Sequence, residues 1–141
     1  MKDFAILAPV LVQVALTFAL QLLMAKERFA SFKAGTVKRG EHPGIKPVWP
    51  EQAAVVSNAF QNQFEIPMLF FAACAFALLA GVADGPMVAL AWVFAMSRLI
   101  HAGIFVTYND IPHRFFAYLA GSLVVMAMWL RLGFLAMYGG A

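Results

Sequence analysis

The chain has 141 residues, of which 63% are apolar, ten basic and seven acidic, with a mean hydropathy of +0.80. A soluble domain would carry about twice this charged fraction, and nine of the charges fall between residues 26 and 53. These figures exclude a soluble enzyme and predict one membrane-embedded domain over residues 1–141. The pI near 9.3 does not point to nucleic acid, because the basic residues crowd beside hydrophobic spans, where orientation in the bilayer accounts for them. A lone cysteine, Cys74, excludes an intrachain disulfide and a multi-cysteine metal site.

Residues 4–25 contain no charge and suffice to cross a hydrocarbon core of about 30 Å at about 1.5 Å per residue. Lys26, Glu27 and Arg28 follow at once, so the stretch reads as a retained first span and not a cleaved signal. The second span is expected over residues 53–83. It contains Glu65 and Pro67, with a kink expected next to Glu65 because proline removes one helical hydrogen bond. Asp84-Gly85-Pro86 closes it as a turn. The third span covers residues 87–108 and the fourth residues 115–137, separated by the breaker Asn109-Asp110-Ile111-Pro112. No stretch alternates as a strand, so the fold expected is all-α, an integral membrane four-helix bundle.

The first connector carries Lys26, Arg28, Lys33, Lys38, Arg39 and Lys46, and the third adds Arg114, whereas the other side has only Lys2 and Arg131, read as snorkelling from the last span. Connectors one and three are therefore expected to be cytoplasmic. Glycines and prolines at 35, 40, 43, 44, 47 and 50 mark the first connector as a loop.

Two polar stripes lie inside the spans. Asn58, Gln61, Asn62 and Glu65 recur at i, i+3, i+4 and i+7, on one arc of about 100°. Arg98, His101, Phe105, Tyr108 and Asn109 form the second stripe, on the third span. Antiparallel register pairs Glu65 with Arg98 and Asn62 with His101, to within about one turn. Polar groups in hydrocarbon either join helices or line a wet cavity. Four of them opposite an arginine and a histidine favour the cavity. For Arg98 an ion pair with Glu65 and ligand binding both stay open, and Arg114 either anchors the fourth span at the interface or acts on a ligand.

These residues resemble the MAPEG family, the membrane-associated proteins in eicosanoid and glutathione metabolism. The resemblance rests on the four spans, the long basic first connector, Asn62-x-x-Glu65 with a proline just after it, and Arg98-x-x-His101 leading to Arg114. It implies a bacterial-type member in an inner membrane, a homotrimer of left-handed bundles, and glutathione as co-substrate, bound between subunits. It implies that Asn62 and Glu65 bind the tripeptide; by their own chemistry Asn58 and Gln61 are neutral hydrogen-bond partners for it and His101 a further candidate contact. Arg98 and Arg114 would bind it and activate its thiol. Asn58 stands where the family's enzymes have an arginine, His101 and Phe105 where the synthase branch has tyrosines, and Pro112 about where the thiol-activating arginine belongs.

A thiol with a reference pKa near 8.5 is mostly protonated at neutral pH, and a neighbouring cation favours the reactive thiolate. The expected activity is glutathione conjugation or peroxide reduction on an apolar electrophile entering from the bilayer. The alternatives are a non-catalytic membrane module that binds lipid or serves a larger complex, and proton or ion movement through Glu65, His101 and Arg98.

Overall fold

A computed structural model describes residues 3–37 and 47–138. Lys2, Lys38, Arg39, Gly40, Pro43, Gly44 and Lys46 lie outside that range. The described residues are helical, without a strand, and four helical segments are long and apolar enough to cross a membrane. After a short 3-10 turn over Asp3–Ile6, α1 runs Leu7–Lys33. The second span, Glu51–Leu79, consists of α2 (Glu51–Gln61), a 3-10 turn (Asn62–Phe64) and α3 (Ile66–Leu79). The third and fourth spans are α4 (Gly85–Val106) and α5 (Ile111–Tyr138).

The first helix continues past the expected end at residue 25. Lys26, Glu27 and Arg28 end its apolar stretch, but none of them is a helix breaker. On this extension Arg28 donates from Nε to Ser57 Oγ at 3.2 Å, and its guanidinium lies 4.8 Å from the centre of the Trp49 ring. The second span stops at Leu79, because Gly81 takes a left-handed backbone with φ of +69°. The Gly81 and Val82 amides then close the helix by donating to the carbonyls of Leu78 at 3.1 Å and Ala77 at 2.9 Å.

Asp84 and Asp110 begin the last two helices in the same way. Asp84 Oδ1 accepts from the Met87 amide at 3.1 Å and Asp110 Oδ1 from the His113 amide at 2.9 Å, each three residues on. Pro86 and Pro112 stand within the first turns, where a missing N–H costs nothing. Asp84 also pairs with Arg131. The charge of Arg131 thus reaches from within the last span to the second connector, on the side its snorkelling implies.

The kink falls where Pro67 places it. Pro67 cannot donate to the Gln63 carbonyl and its ring crowds that group. The helix passes into a 3-10 turn and then breaks at Glu65, whose φ and ψ are −99° and −110°. The break redirects the span. Before it, α2 packs on α1 and α4; after it, α3 packs mainly on α5. Trp129 of α5 fixes the new partner by donating from its indole nitrogen to the Leu69 carbonyl at 3.1 Å.

Two apolar clusters result. One gathers Phe70, Cys74, Met87, Phe94, Val125 and Met128, with the Phe70 and Phe94 rings stacked at 4.3 Å. The other gathers Leu20, Ala59, Ala102 and Phe105. Between them, along each contributing span, falls a buried polar residue: Gln13 on α1, Gln63 in the 3-10 turn, Arg98 on α4. The interior is therefore an apolar stack interrupted near the middle by a polar layer.

Candidate functional site

The site is assembled at the contact of α4 with α5, the most extensive helix pairing in the chain. Small residues make that contact close. A Cβ added at Gly121 would come within 2.7 Å of Ser97 Oγ and 3.7 Å of Arg98 Cδ. On α4, Arg98, His101 and Phe105 are buried at i, i+3 and i+7, as the third-span stripe anticipates, whereas Tyr108 is exposed. On α5, Ile111, Arg114, Phe115 and Tyr118 share one face at i, i+3, i+4 and i+7.

These side chains and Asn62 enclose an open recess of about 240 Å³, lined by Asn62, His101, Phe105, Ile111, Arg114, Phe115 and Tyr118. Four of the residues singled out in the sequence, Asn62, His101, Phe105 and Arg114, thus meet at one place. Arg98 lies behind the wall. It is fully buried, its Nη2 donates to the Asn62 backbone carbonyl at 3.2 Å, and its guanidinium carbon is 5.9 Å from the centre of the Tyr118 ring.

The expected register, Glu65 with Arg98 and Asn62 with His101, needs one correction. Asn62 and His101 do share the recess, but Arg98 meets the main chain of Asn62, and no carboxylate among the described residues forms a salt bridge with it. The break is the reason. At the break the span passes from α-helix into the 3-10 turn that begins at Asn62, and the Asn62 carbonyl there also accepts from a charged donor on α4.

The second-span stripe also faces differently than expected. Asn58, Gln61 and Glu65 are exposed on the single chain, and only Asn62 is half-buried. The inward face of α2 consists instead of Ala53, Val56, Ser57 and Ala59, residues small enough to let α1 and α4 approach.

Arg114 is held in place by its neighbours. Asn109, whose φ of +49° puts it in the left-handed region, ends α4 with its amide on the Ile104 carbonyl at 2.8 Å. Its side-chain oxygen accepts from Arg114 Nη1, and the Arg114 guanidinium lies 3.9 Å from the centre of the Phe105 ring. The breaker sequence therefore orients the arginine as well as turning the chain.

Several polar nitrogens around the recess have no hydrogen-bond partner among the described residues: Nε and Nη1 of Arg98, Nδ1 of His101 and Nε of Arg114. Buried polar groups are nearly always paired; Gln13 Oε1 and Arg131 Nε, away from the recess, are unpartnered in the same way. The lining of the recess contains two basic side chains, an amide and a hydroxyl, and no carboxylate. Such a set suits an anion or a thiolate. A single-chain recess of this volume is smaller than the roughly 300–1,000 Å³ usual for a whole small-molecule site.

Sequence reasoning missed three residues here. Tyr118 lies in an aromatic-rich stretch where one more ring carries no signal. Gln13 and Gln63 are buried and hydrogen-bonded to each other at 2.8 Å. Their signal was available, since a glutamine inside an otherwise apolar span is itself costly in hydrocarbon.

No curated protein matches the chain. The model of the MAPEG family matches residues 6–134, nearly the whole length and all four spans together with the recess they form. With four membrane-length helices, Asn62 and Arg98 in contact at the kink, and a match of that extent, the chain belongs to the MAPEG family.

Proposed function

We propose that the protein is a glutathione-dependent membrane transferase or peroxidase acting on apolar electrophiles drawn from the bilayer. The observation that carries this reading is the cluster of unpartnered nitrogens on Arg98, His101 and Arg114 around a recess lined without a carboxylate. Glutathione brings two carboxylates, an ammonium and a thiol. Arg114 suits its anionic groups, with Arg98 adding positive field from behind the wall; Asn62 and Tyr118 suit its amides, and Glu65, outside the recess on the single chain, its ammonium once a second copy covers that face. The positive field favours the thiolate form of a thiol placed there. In conjugation the thiol gives its proton to solvent and the sulfur bonds to the electrophilic carbon, which expels its leaving group with the bonding pair. Where that carbon belongs to an activated double bond, the pair passes instead to the neighbouring atom, which takes a proton from solvent.

The reading includes a homotrimer with the site between copies. Glu65 is central in the 29-residue span Glu51–Leu79 and is exposed on the single chain, as are Asn58 and Gln61. A carboxylate does not face acyl tails at that depth without large cost, so a second copy covering this face is the simplest resolution. It would also enlarge the recess. The basic first connector supports connectors one and three in the cytoplasm, and the reading takes the membrane to be a bacterial inner membrane.

The test uses purified protein in nanodiscs, with native mass spectrometry for the oligomer, calorimetry for glutathione binding and an assay of conjugation to an apolar electrophile. Binding and turnover are expected. Folded protein that fails to bind at millimolar glutathione overturns the proposal.

A second reading, a module that binds lipid or serves a larger complex, is favoured by Asn58 and Phe105 at positions where related enzymes carry arginine and tyrosine. Turnover lost in Arg98→Ala with the assembly intact counts against that reading.

A further inference from the structure

Gln13 is completely buried in the first span and does not line the recess. Its Nε2 donates to Gln63 Oε1 at 2.8 Å, and Gln63 Nε2 donates in turn to the Ala59 carbonyl at 2.9 Å. The second bond decides which way the Gln63 amide faces, so its oxygen is the atom offered to α1. One residue before Gln63, the Asn62 carbonyl accepts from Arg98. Two long polar side chains thus hold the same break from opposite sides. Gln13 acts from α1 through Gln63, and Arg98 acts from α4 directly on the main chain.

This arrangement has a physical cause. Pro67 takes the Gln63 carbonyl out of the helical ladder, and the span bends through a 3-10 turn over Asn62–Phe64, so the main chain there is held less regularly than in a continuous helix. Gln63 covers the Ala59 carbonyl and Arg98 covers that of Asn62. A segment with φ and ψ of −99° and −110° at Glu65 has no regular ladder to define its position. Its geometry depends on these side chains, and so does the placement of the Asn62 amide that lines the recess.

We propose that Gln13 is a positioning residue of the site: through Gln63 it fixes the break in the second span, and with it the Asn62 main chain that orients Arg98. The proposal rests on the reading of the recess as a glutathione site, and it adds a residue from a helix that supplies none of the lining.

Gln13→Met is the informative variant. Gln13 Oε1 is already unpartnered, so the change exchanges one unpaired oxygen for another, that of Gln63, at nearly constant volume. Thermal stability and oligomeric state are expected to stay at the parent's values, while the glutathione Kd measured by calorimetry rises about tenfold. In an Arg98→Lys background, Gln13→Met should cost clearly less affinity, because the Arg98–Asn62 contact that is part of what it positions is already altered. Unchanged affinity in Gln13→Met, or the same fold-loss in both backgrounds, overturns the proposal. Should Gln13→Met fail to assemble, Gln13→Asn keeps the amide but shortens its reach, and the same weakening is expected.

Hydrogen exchange separates this inference from the functional reading beneath it. If the parent does not bind glutathione, the proposed function falls, yet the amides of residues 62–66 should still exchange faster in Gln13→Met than in the parent, with α5 unchanged. Equal exchange at 62–66 overturns the positioning role whatever the ligand result.

Discussion

Arg98 is bound to the main chain of Asn62 and not to the side chain of Glu65. Its Nη2 donates to the Asn62 carbonyl at 3.2 Å, and its remaining two nitrogens, Nε and Nη1, have no partner among the described residues. A fully buried guanidinium in this state is poorly compensated, since removing a charge from water costs several kcal/mol, roughly, even after relaxation. In the proposed function the offsetting interaction is one with a bound ligand.

Arg98→Met tests that argument. Methionine fills most of the same volume, and apolar replacement of a buried charge is often neutral or stabilising by about 1–4 kcal/mol. Loss of the bond to Asn62 works the other way by about 1 kcal/mol. Thermal unfolding in nanodiscs should thus stay within a few degrees of the parent, and glutathione binding should vanish. A drop in stability of about 3 kcal/mol or more would show that the guanidinium chiefly holds the fold.

How much of this could be read from the sequence varies by residue. The spans were legible from their apolar lengths, and the kink from Pro67, because both are local properties. Arg98 and His101 were legible as buried neighbours because α4 is continuous and a period of about 3.6 residues applies throughout it. The orientation of Asn58, Gln61 and Glu65 was not. The rule that polar groups inside a membrane turn inward applies to an assembly, and one sequence does not say how many copies build the interior. The break at Glu65 also ends the helical phase on which the stripe was drawn. Gln63 lay outside that stripe and was passed over, although the 3-10 turn buries it almost completely.

Gly121 is the point at which α4 and α5 come closest to refusing a side chain. A Cβ there would sit 2.7 Å from Ser97 Oγ, and that hydroxyl is held by its own bond to the Phe94 carbonyl at 2.7 Å. Gly121→Ala should lower stability by about 1–3 kcal/mol through overpacking. Adding Ser97→Ala removes the obstructing oxygen and should recover most of the loss. Thermal melts of the two singles and the double check this, and strictly additive losses would place the strain elsewhere.

At the other end of α4, Asp84 has two roles that substitution can separate. It caps the helix through the Met87 amide and pairs with Arg131. Asp84→Asn keeps the cap and removes only a partly exposed ion pair, so it should cost less than about 1 kcal/mol. Asp84→Ala loses both and should cost about 1–2 kcal/mol. Equal losses in the two variants, by thermal unfolding, would show that the ion pair outweighs the cap.

Tyr118 supplies the only hydroxyl among the residues lining the recess, and its ring lies near both Arg98 and His101, with centres 6.0 Å apart in the latter case. Ring and hydroxyl can be tested separately. Tyr118→Phe keeps the aromatic face for both neighbours, so stability should change by less than about 0.5 kcal/mol. If the hydroxyl donates to a thiolate, turnover falls by about tenfold to a hundredfold while the glutathione KM moves little, since the interaction is stronger in the reactive form than in the bound thiol. Tyr118→Leu also removes the face over Arg98 and should raise KM as well as lower kcat. A rise in KM alone for Tyr118→Phe would make the hydroxyl a contact of ground-state binding, and the activation of the thiol would then rest with Arg114, whose guanidinium Asn109 and Phe105 already hold at the recess wall.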